Sequence, residues 1–289
     1  MFQTNLYYYK GMNYFERAKT FRAKKRLGQN FLIDGAVIDK IIETANISEN
    51  DTVVEIGGGL GFVTERLVES AKKVYVIELD EDMVKELKKI KADNLEVIHA
   101  DILKTDISQF GENIKIVANI PYYITSPIIA HLLGEVDDLD NKNRKSISEI
   151  IMMTQYEAAL RITADEKSEN KAYGLLTILA NFNADTEMVE FVKAKSFFPA
   201  PKVNSAVIKF TVKDKPMLDL SDYGFFKRVC KACFGTRRKN IKNSLVTAGF
   251  AKETVKKVLE EMKISENTRG ETLSIEEIGR LSEQLKDNN

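Results

Sequence analysis

A glycine-rich turn between a predicted strand and a predicted helix is the part of this sequence best suited to chemistry. The largely apolar run 52–56 is typical of a strand buried on both faces, and glycines follow it at positions 57, 58, 59 and 61. Glycine lets the backbone adopt positive φ and lets a ligand approach where a Cβ atom would clash. The next run, 62–70, has the apolar spacing of a helix, whose N-terminus offers free N–H groups to a polar ligand.

Acidic residues after the next two predicted strands indicate what that ligand contains. Glu78 ends the strand 73–77, about 20 residues after the glycines, where a carboxylate can accept hydrogen bonds from both hydroxyls of a ribose. Asp101 follows the third strand and can pair with an exocyclic amine such as that of adenine, although alone it is better explained as a helix N-cap or turn residue. Together these features predict a nucleoside-containing cofactor, with an ordinary glycine-rich turn as the alternative.

A polar and aromatic segment after a later predicted strand gives a second candidate site. The strand 114–118 runs into Asn119, Ile120, Pro121 and Tyr122. Proline fixes φ and removes a donor, the asparagine side chain supplies a carbonyl acceptor, and the tyrosine ring supplies a flat face on which a base can stack. Because packing explains this combination poorly, we predict a base-binding site; a polar loop around a buried tyrosine is the alternative.

Two basic runs predict contacts with a polyanion. Residues 227–242 hold seven lysines and arginines and no acid, and Arg237, Arg238 and Lys239 with Phe234 indicate a phosphate-contacting patch. The alternative is a solvated helix face, which normally carries balancing acids. The second run, 19–26, is equally well explained as a solvated tail. Across the chain 43 basic residues balance 43 acidic ones, which argues against a protein that coats nucleic acid uniformly.

Composition excludes other classes of site. Cys230 and Cys233 form a single C-x-x-C without a second pair or a nearby histidine, so no metal site is predicted. We interpret the two cysteines as ordinary thiols, with a redox pair as the alternative. No apolar run is long enough to span a bilayer, and the N-terminus lacks the apolar core of a signal peptide, so we predict a cytoplasmic protein with no membrane partner.

Eight motifs occur in a fixed order between about residues 24 and 250. They are GQNFL (28–32), EIGGGLG (55–61), VIELD (76–80), the Asp101 turn, NIPY (119–122), AYGLLT (172–177), FFPAPKVNSAV (197–207) and FGTRRKNIKNSL (234–245). Together they resemble the small-subunit ribosomal RNA adenine dimethyltransferases of the KsgA group far more specifically than any single motif does. Relatives that methylate large-subunit RNA share GQNFL and NIPY, whereas the FFPAPKVNSAV run and the basic segment favour the small-subunit group.

The resemblance implies S-adenosylmethionine as the cofactor and two adjacent adenosines as the substrate, in a hairpin near the 3′ end of small-subunit rRNA within an immature ribosomal subunit. The protein is expected to act as a monomer. The implied cofactor contacts are Asn30, Leu32, Gly57, Gly59, Glu78 to the ribose, Asp101 to the adenine amine, Ile102 and Asn119. The implied catalytic residues are Asn119, Ile120, Pro121, Tyr122 and Phe197. The implied RNA contacts are Lys24, Lys25, Arg26, Lys202, Arg237, Arg238, Lys239 and Lys242.

The predicted fold follows from the alternation of strands and helices and from the resemblance. We expect an α/β, Rossmann-like class I methyltransferase with a mostly parallel, seven-stranded, doubly wound sheet. Composition changes near Asp214, after which only helical patterns occur. We therefore predict a partly disordered N-terminal extension (1–23), an S-adenosylmethionine-binding methyltransferase domain (24–213) and a smaller all-helical, RNA-contacting domain (214–289).

Three positions depart from the family's usual pattern, and three other functions stay open. Gly58 stands where proline is common, Tyr123 where asparagine is common, and Tyr156 where the sequence QKE is expected. One alternative is a large-subunit rRNA adenine methyltransferase of the Erm type. Another is an rRNA-binding assembly factor whose catalysis is dispensable. The third is an NAD-dependent oxidoreductase, for which the only two histidines, His99 and His131, offer no suggestive setting.

Overall fold

The computed structural model describes residues 13–168, 172–235 and 239–288, and a seven-stranded sheet forms the centre of this described part. Its strands, in spatial order, are β4 (Leu95–His99), β3 (Lys73–Glu78), β2 (Thr52–Ile56), β5 (Ile114–Asn119), β6 (Ile147–Gln155), β9 (Ser205–Val212) and β7 (Ala184–Val192). The first five strands run parallel, whereas β9 lies antiparallel between β6 and β7. The predicted Rossmann-like class I methyltransferase fold, with its mostly parallel seven-stranded sheet, is confirmed.

The register of the central strands brings three strand ends together. Val53 and Val54 of β2 have no exposed surface, as the apolar run predicted for a strand covered on both faces. Ile56, the last residue of β2, pairs with Ile77 of β3 on one side and with Ala118 of β5 on the other. The chain moves outward from β2 to β3 and β4 and then returns to β5, so the strand order reverses between β2 and β5. Open α/β sheets bind their ligands at such a switch point.

A two-stranded sheet joins the GQNFL segment to the aromatic segment that follows β7. Its strands are β1 (Phe31–Leu32) and β8 (Phe197–Phe198), which pair antiparallel. One compact unit, Met1–Leu133 with Asp140–Ala159 and Ala184–Val212, contains both sheets. Its helices are α1 (Tyr14–Lys19), α2 (Gly35–Ala45), α3 (Thr64–Ser70), α4 (Glu81–Leu87), α5 (Thr125–Leu133), α6 (Lys142–Ser146) and the start of α7 (Tyr156–Ile162).

The described part of the N-terminal extension, which was predicted to be partly disordered over 1–23, belongs to this unit and packs on its core. Ala18 of α1 is fully buried in the unit's core. The Tyr14 ring packs on Phe62 with 4.7 Å between ring centroids, and Phe15 meets Phe198 edge-on at 5.5 Å. The aromatic residues of this segment lack helical periodicity because they pack against different neighbours. The predicted disorder within residues 1–12 falls outside the described residues.

The other compact unit combines three segments, Gly134–Leu139, Leu160–Asn183 and Lys213–Asn289. Its helices are α8 (Leu175–Asn183), α9 (Tyr223–Gly235), α10 (Ile241–Thr247), α11 (Lys252–Glu261) and α12 (Ile275–Asp287). Ile178 and Phe182 of α8 belong to its apolar core, and the Phe182 ring stacks on Phe226 of α9 with 5.5 Å between centroids. The predicted bounds 24–213 and 214–289 are therefore corrected, because apolar side chains of two earlier segments complete the core of the helical unit.

We predict that Gly58→Ala lowers the free energy of unfolding by about 1–3 kcal/mol, the usual cost of adding atoms to a packed core. A Cβ atom at position 58 would lie 2.5 Å from Cγ1 of Val76 and 3.0 Å from Cδ2 of Leu87. These two side chains occupy the volume that the proline common in the family would need. Denaturant unfolding of the variant and the parent protein measures the loss.

Gly235→Ala is the matched control, because a Cβ atom there meets nothing within 4 Å and alanine favours the helix in which it lies. Combining Gly58→Ala with Val76→Ala removes the clashing methyl group. The double variant should therefore lose less stability than the sum of the two single losses. Strictly additive losses would contradict crowding between positions 58 and 76.

Candidate active site

A pocket opens at the carboxyl ends of β2, β3 and β5. Its wall consists of the glycine turn 57–60, the end of β3, the turn after β4, the segment 119–124 and the segment 27–32. Eleven predicted site residues line it: Asn30, Leu32, Gly57, Gly59, Glu78, Asp101, Ile102, Asn119, Ile120, Pro121 and Tyr122. The structure thus brings both predicted sites into one cavity, while the role of each residue stays a prediction.

The glycine turn keeps side chains out of this part of the pocket wall. Gly57 and Gly59 have φ of 75° and 53°, in the left-handed region where other residues are strained. A Cβ atom on Gly57 would also lie 3.3 Å from the carbonyl oxygen of Asn119, tighter than most contacts of this kind. Backbone atoms of the β2 and β5 segments therefore approach each other closely, and a ligand meets main chain here.

The Glu78 carboxylate ties the end of β3 to the glycine turn. Its Oε2 accepts a hydrogen bond from Gly59 N at 3.0 Å, and its Oε1 accepts one from Asp80 N at 2.8 Å. The side chain is buried, and burial raises the pKa of Glu78 even though these backbone donors act to lower it. The two oxygens have about four lone-pair sites between them, so acceptor capacity is left for ligand hydroxyls.

A second acid in the pocket wall, Glu55, is more deeply buried than Glu78. Only 3% of Glu55 is exposed, and its Oε2 accepts a hydrogen bond from the Thr64 hydroxyl at 2.5 Å. Burial raises the pKa of Glu55 to about 8, and the charge of nearby Glu78 acts in the same direction. Because Thr64 is the first residue of α3, this hydrogen bond joins β2 to the helix that follows the glycine turn.

Asp101 has the capping role expected of it alone and also faces the pocket. Its Oδ1 accepts a hydrogen bond from Leu103 N at 3.0 Å and caps the short 3₁₀ helix Ile102–Lys104. Within the described residues its other carboxylate oxygen accepts no side-chain hydrogen bond, which leaves an acceptor for an amine. Across the pocket wall, Asn30 Nδ2 donates to the Gly28 carbonyl at 3.0 Å, which fixes the amide side chain of the GQNFL segment.

The NIPY segment turns sharply at the end of β5 and holds Tyr122 in place. Tyr122 begins a 3₁₀ turn that ends at Ile124, and its hydroxyl lies 2.6 Å from the hydroxyl of Ser205, a fully buried residue of β9. The Thr125 hydroxyl donates to the Tyr122 carbonyl at 3.0 Å. Burial raises the pKa of the Tyr122 phenol, which stays protonated and able to donate. The ring is therefore anchored at its hydroxyl end while lining the pocket.

Asp80 holds the GQNFL segment and the residues just before it against the end of β3, a role that the sequence did not reveal. Its Oδ1 lies 2.5 Å from Lys24 Nζ, and its Oδ2 accepts a hydrogen bond from Gln29 Nε2 at 2.6 Å. Lys24 also lies 2.6 Å from Asp82 Oδ2, and these hydrogen bonds raise the pKa of Lys24. The RNA contact expected of Lys24 stays a prediction, and in this structure two carboxylates pair with its charge.

Arg17 of α1 contacts residues within and just after the glycine turn, a role that sequence analysis also missed. This arginine is buried, and its guanidinium lies 2.9 Å from Glu65 Oε1 and 4.6 Å from the centre of the Phe62 ring. It also donates to the Leu60 carbonyl at 3.2 Å. Leu60 and Phe62 flank Gly61, and Glu65 lies in the first turn of α3, so α1 fixes the start of α3. A single arginine in a segment without periodicity does not indicate in the sequence that its partner is Glu65.

Phe197 does not line the pocket, which corrects its prediction as a clamp on the target base. Only 3% of it is exposed, because the strand alternation of β8 turns this ring into the core beside its partner Leu32. Phe198 on the opposite face is partly exposed. Among the predicted RNA contacts of the same unit, Arg26 and Lys202 are exposed.

The basic segment 227–242 has acidic partners that are distant in sequence, so the interpretation that it lacks them is wrong. Lys227 Nζ lies 2.7 Å from Asp137 Oδ1, and Lys242 forms an ion pair with Glu266. Lys239 is exposed and donates to the Thr247 hydroxyl at 3.1 Å. Sequence proximity misses such pairing because the acids lie in other segments of the same unit. The remaining predicted contacts, Arg237, Arg238 and the side chain of Lys25, lie outside the described residues.

The described part of the chain was also searched for reactive thiols, metal-ligand groups and membrane-spanning helices. Cys230 and Cys233 are free thiols buried in α9, and burial raises the pKa of Cys233 to about 12, so it stays in the unreactive thiol form. No group of three or more His, Cys, Asp or Glu residues there is placed to hold a metal ion. None of the helices that the structure describes is long and apolar enough to cross a membrane.

The sequence matches the family model "Ribosomal RNA adenine dimethylase" over residues 20–287. It is 43% identical over 274 residues to the ribosomal RNA small subunit methyltransferase A of Clostridium botulinum, covering 92% of this chain and 95% of that protein. The protein of the same name from Clostridioides difficile is 41% identical over 271 residues, covering 91% of this chain and 90% of the relative.

Two solved structures are similar to this chain over most of its length. A dimethyladenosine transferase from Plasmodium falciparum is 28% identical, with a TM-score of 0.73 and coverage of 87% of this chain and 95% of that one. The 23S rRNA methyltransferase ErmE is 29% identical, with a TM-score of 0.68 and coverage of 89% and 100%. The likeness therefore extends beyond the sheet to nearly the whole chain of both proteins.

We predict that Glu55→Gln flattens the pH dependence of stability between about pH 4.5 and 8. The folded-state pKa of Glu55, about 8, lies above its ordinary value of 4.5, so the folded protein holds an extra proton in this window. The free energy of unfolding contributed by this group therefore falls as pH rises through the window. Glutamine stays neutral and keeps a carbonyl that can accept from Thr64. Denaturant unfolding at a series of pH values gives the slope of the free energy of unfolding against pH for the parent protein and for Glu55→Gln.

Glu49→Gln is the control, because Glu49 is exposed in a loop and the same charge is removed without any burial. Its slope should match that of the parent protein. If Glu55→Gln also leaves the slope unchanged, Glu55 is not the proton-binding group.

Proposed function

We propose, on the premise that this chain belongs to the ribosomal RNA adenine dimethylase family, that it dimethylates the N6 amines of two adjacent adenosines near the 3′ end of small-subunit rRNA. The methyl donor in this proposal is S-adenosylmethionine, and the substrate is a hairpin within an immature small subunit, bound by a monomer. The observation that carries the proposal is the convergence of Glu78 and Asp101 with the segment 119–122 in one pocket. A nucleoside cofactor at Glu78 and Asp101 and a target base at the segment 119–122 would therefore lie next to each other in this pocket.

The choice of small-subunit RNA is supported by the more similar relatives. Proteins named small subunit methyltransferase A are about 40% identical over nine-tenths of this chain, compared with 29% for the 23S rRNA methyltransferase. The FFPAPKVNSAV run adds to this support, since its resemblance favours the small-subunit group. A large-subunit target is the second candidate, because ErmE has a similar structure, and the assay below separates the two.

The pocket residues suit S-adenosylmethionine, which when bound supplies an electrophilic methyl group on its sulfonium. Glu78 offers carboxylate oxygens to ribose hydroxyls from the end of β3. Asp101, one strand further out, offers an oxygen to the exocyclic amine of adenine. The bare backbone at Gly57 and Gly59 leaves the volume that a Cβ atom would otherwise take. These residues supply binding and orientation, and the pocket wall excludes water from that side.

Asn119 and its neighbours would prepare the target amine, which is a poor nucleophile because its lone pair is conjugated with the purine ring. The Asn119 side-chain carbonyl and the Ile120 main-chain carbonyl can both accept hydrogen bonds from this amine. That arrangement favours a pyramidal nitrogen with its lone pair directed outward. No general base is needed first, because the proton becomes far more acidic once nitrogen has gained a carbon. Catalysis then rests mainly on positioning.

Tyr122 would hold the target base once the base has left its stack. The hydrogen bond to Ser205 fixes the ring at the pocket wall, and the proline before it fixes the turn. Stacking on an aromatic ring is worth about 1–3 kcal/mol per base. Because Phe197 is buried, this proposal assigns the stacking to Tyr122 alone. The RNA backbone would be held by exposed cations, for which Arg26, Lys202 and Lys239 are the described candidates.

The predicted activity is transfer of labelled methyl groups from S-adenosylmethionine to immature small subunits. Calorimetric titration should show binding of S-adenosylmethionine and none of NAD. Glu78→Ala should weaken cofactor binding by about 1–3 kcal/mol, the cost of hydrogen bonds to a buried charged group. Transfer is measured as label incorporated into each rRNA.

Large subunits are the control substrate, and Glu81→Ala, an exposed acid at the start of α4, is the control variant. Label in the large subunit instead would overturn the proposed target and favour the Erm-type alternative. Tight NAD binding without any response to the methyl donor would overturn the proposed chemistry. Binding of subunits and cofactor with no transfer to either would favour the assembly factor.

We also predict that Asn119→Ala and Tyr122→Ala both abolish most turnover, and that Tyr122→Ala changes cofactor affinity much less. The reason is that Tyr122 is assigned to the target base, whereas Asn119 is assigned to the cofactor as well. Turnover is measured on small subunits at saturating cofactor, and affinity by calorimetry.

Tyr122→Phe keeps the ring and removes the hydrogen bond to Ser205, so it should retain most of the turnover. Ser205→Ala removes the same bond from the other side and should behave alike. Near-normal turnover in Tyr122→Ala would contradict the stacking role. A loss in Tyr122→Phe as large as in Tyr122→Ala would mean that the hydroxyl, and not the ring, matters.

A further inference from the structure

Tyr123, the residue after NIPY, presents an exposed aromatic ring at the mouth of the pocket. Its exposed fraction is 65%, the largest among the big apolar side chains that the structure describes as exposed. The residue nevertheless counts among those that line the pocket. In the described part of the chain its side chain has no hydrogen bond and no aromatic neighbour. Most of this large ring is therefore left in solvent at the pocket.

The backbone that carries this ring forms a hydrogen-bonded turn, which directs the ring away from that of Tyr122. Ile124 N donates to the Pro121 carbonyl at 3.2 Å, which closes the 3₁₀ turn. Successive side chains in such a turn point about 120° apart, and Tyr122 is held inward by Ser205. One edge of the Tyr123 ring also rests beside Gly28, where a Cβ atom would lie 3.5 Å from its Cε1. The ring is therefore supported on one side and open on another.

A positive charge stands close to the residue that supports the ring. Arg26 is exposed and lies two positions before Gly28, in the 3₁₀ helix Lys25–Leu27. No acid pairs with it among the described residues, whereas Lys24 is bound by two carboxylates. An exposed aromatic ring together with an unpaired cation is the combination that binds single-stranded nucleic acid, through base stacking and a phosphate contact.

We propose that Tyr123 and Arg26 form a subsite for the nucleotide adjacent to the target adenosine, with the base stacked on the Tyr123 ring and its phosphate held by Arg26. This inference rests on the proposed function, because it requires an RNA strand whose target base enters the pocket. Removing one base from its stack exposes a face of the next base. Tyr123 stands at the pocket mouth where that face emerges. The subsite thereby favours an unpaired neighbour over a paired one.

The test compares Tyr123→Ala, Tyr123→Phe and Arg26→Gln by steady-state kinetics on immature small subunits and by RNA affinity across a salt series. Tyr123→Ala should raise KM for the subunit about 5- to 150-fold, the range that corresponds to losing one stacked base. Tyr123→Phe should restore KM nearly to that of the parent protein, since the ring is kept. Arg26→Gln should make the slope of log affinity against log salt shallower by about 0.7, the value for one phosphate of a single strand.

Lys88→Gln is the control for charge, because this lysine is exposed at the end of α4 and lies outside the pocket wall. It should leave both the KM and the salt slope unchanged. Calorimetry should show that Tyr123→Ala binds S-adenosylmethionine as the parent protein does. An unchanged KM in Tyr123→Ala while the parent protein methylates small subunits would overturn the subsite alone. Weaker cofactor binding in Tyr123→Ala would also overturn it, because the ring would then belong to the cofactor site. No methylation by the parent protein would overturn the proposed function instead.

Discussion

The hydrogen bond from Gly59 N to the Glu78 carboxylate is the contact on which the site depends. It spans the gap between the turn after β2 and the end of β3, and it does so with the same carboxylate that faces the pocket. Because the donor belongs to the main chain, the turn must be held in the one conformation that directs this N–H toward β3. The left-handed glycines make that conformation accessible, and the remaining contacts of the turn restrict it further.

Two sets of contacts restrict the conformation of the glycine turn. The hydrogen bond between Thr64 and Glu55 fixes the start of α3 from inside the sheet, while Arg17 contacts Leu60 and Glu65 from α1. On the β3 side, Asp80 draws Lys24 and Gln29 toward the same strand end. The pocket wall is thus assembled from segments that are far apart in sequence, and these segments are joined by buried and partly buried polar contacts.

The sheet and the pocket lining could be predicted because both depend on local patterns. Neighbouring residues alone predict two buried strands from the apolar runs at β2 and β5. They also predict a tight turn from the glycine spacing and a ligand contact from the acid at Glu78. Contacts set by tertiary packing were missed. Nothing near Arg17 in the sequence indicates Glu65, and the basic residues Lys227 and Lys242 read as unpaired because Asp137 and Glu266 are remote. Phe197 was misplaced because a two-residue strand, β8, has too little periodicity to show which ring faces inward.

The composition of the helical unit has a consequence for synthesis and for dissection of the protein. The segment Leu160–Asn183 leaves the ribosome about 100 residues before the end of the last helix with which it shares a core. At 5–20 residues per second, its apolar face therefore belongs to an incomplete core for roughly 5–20 s. That face is an obvious target for a chaperone during this interval. For the same reason, a fragment ending at residue 212 would keep Ile178 and Phe182 but lack their core. Isolating the sheet-containing unit requires replacing the segment Leu160–Asn183 with a short linker as well as removing the C-terminal helices.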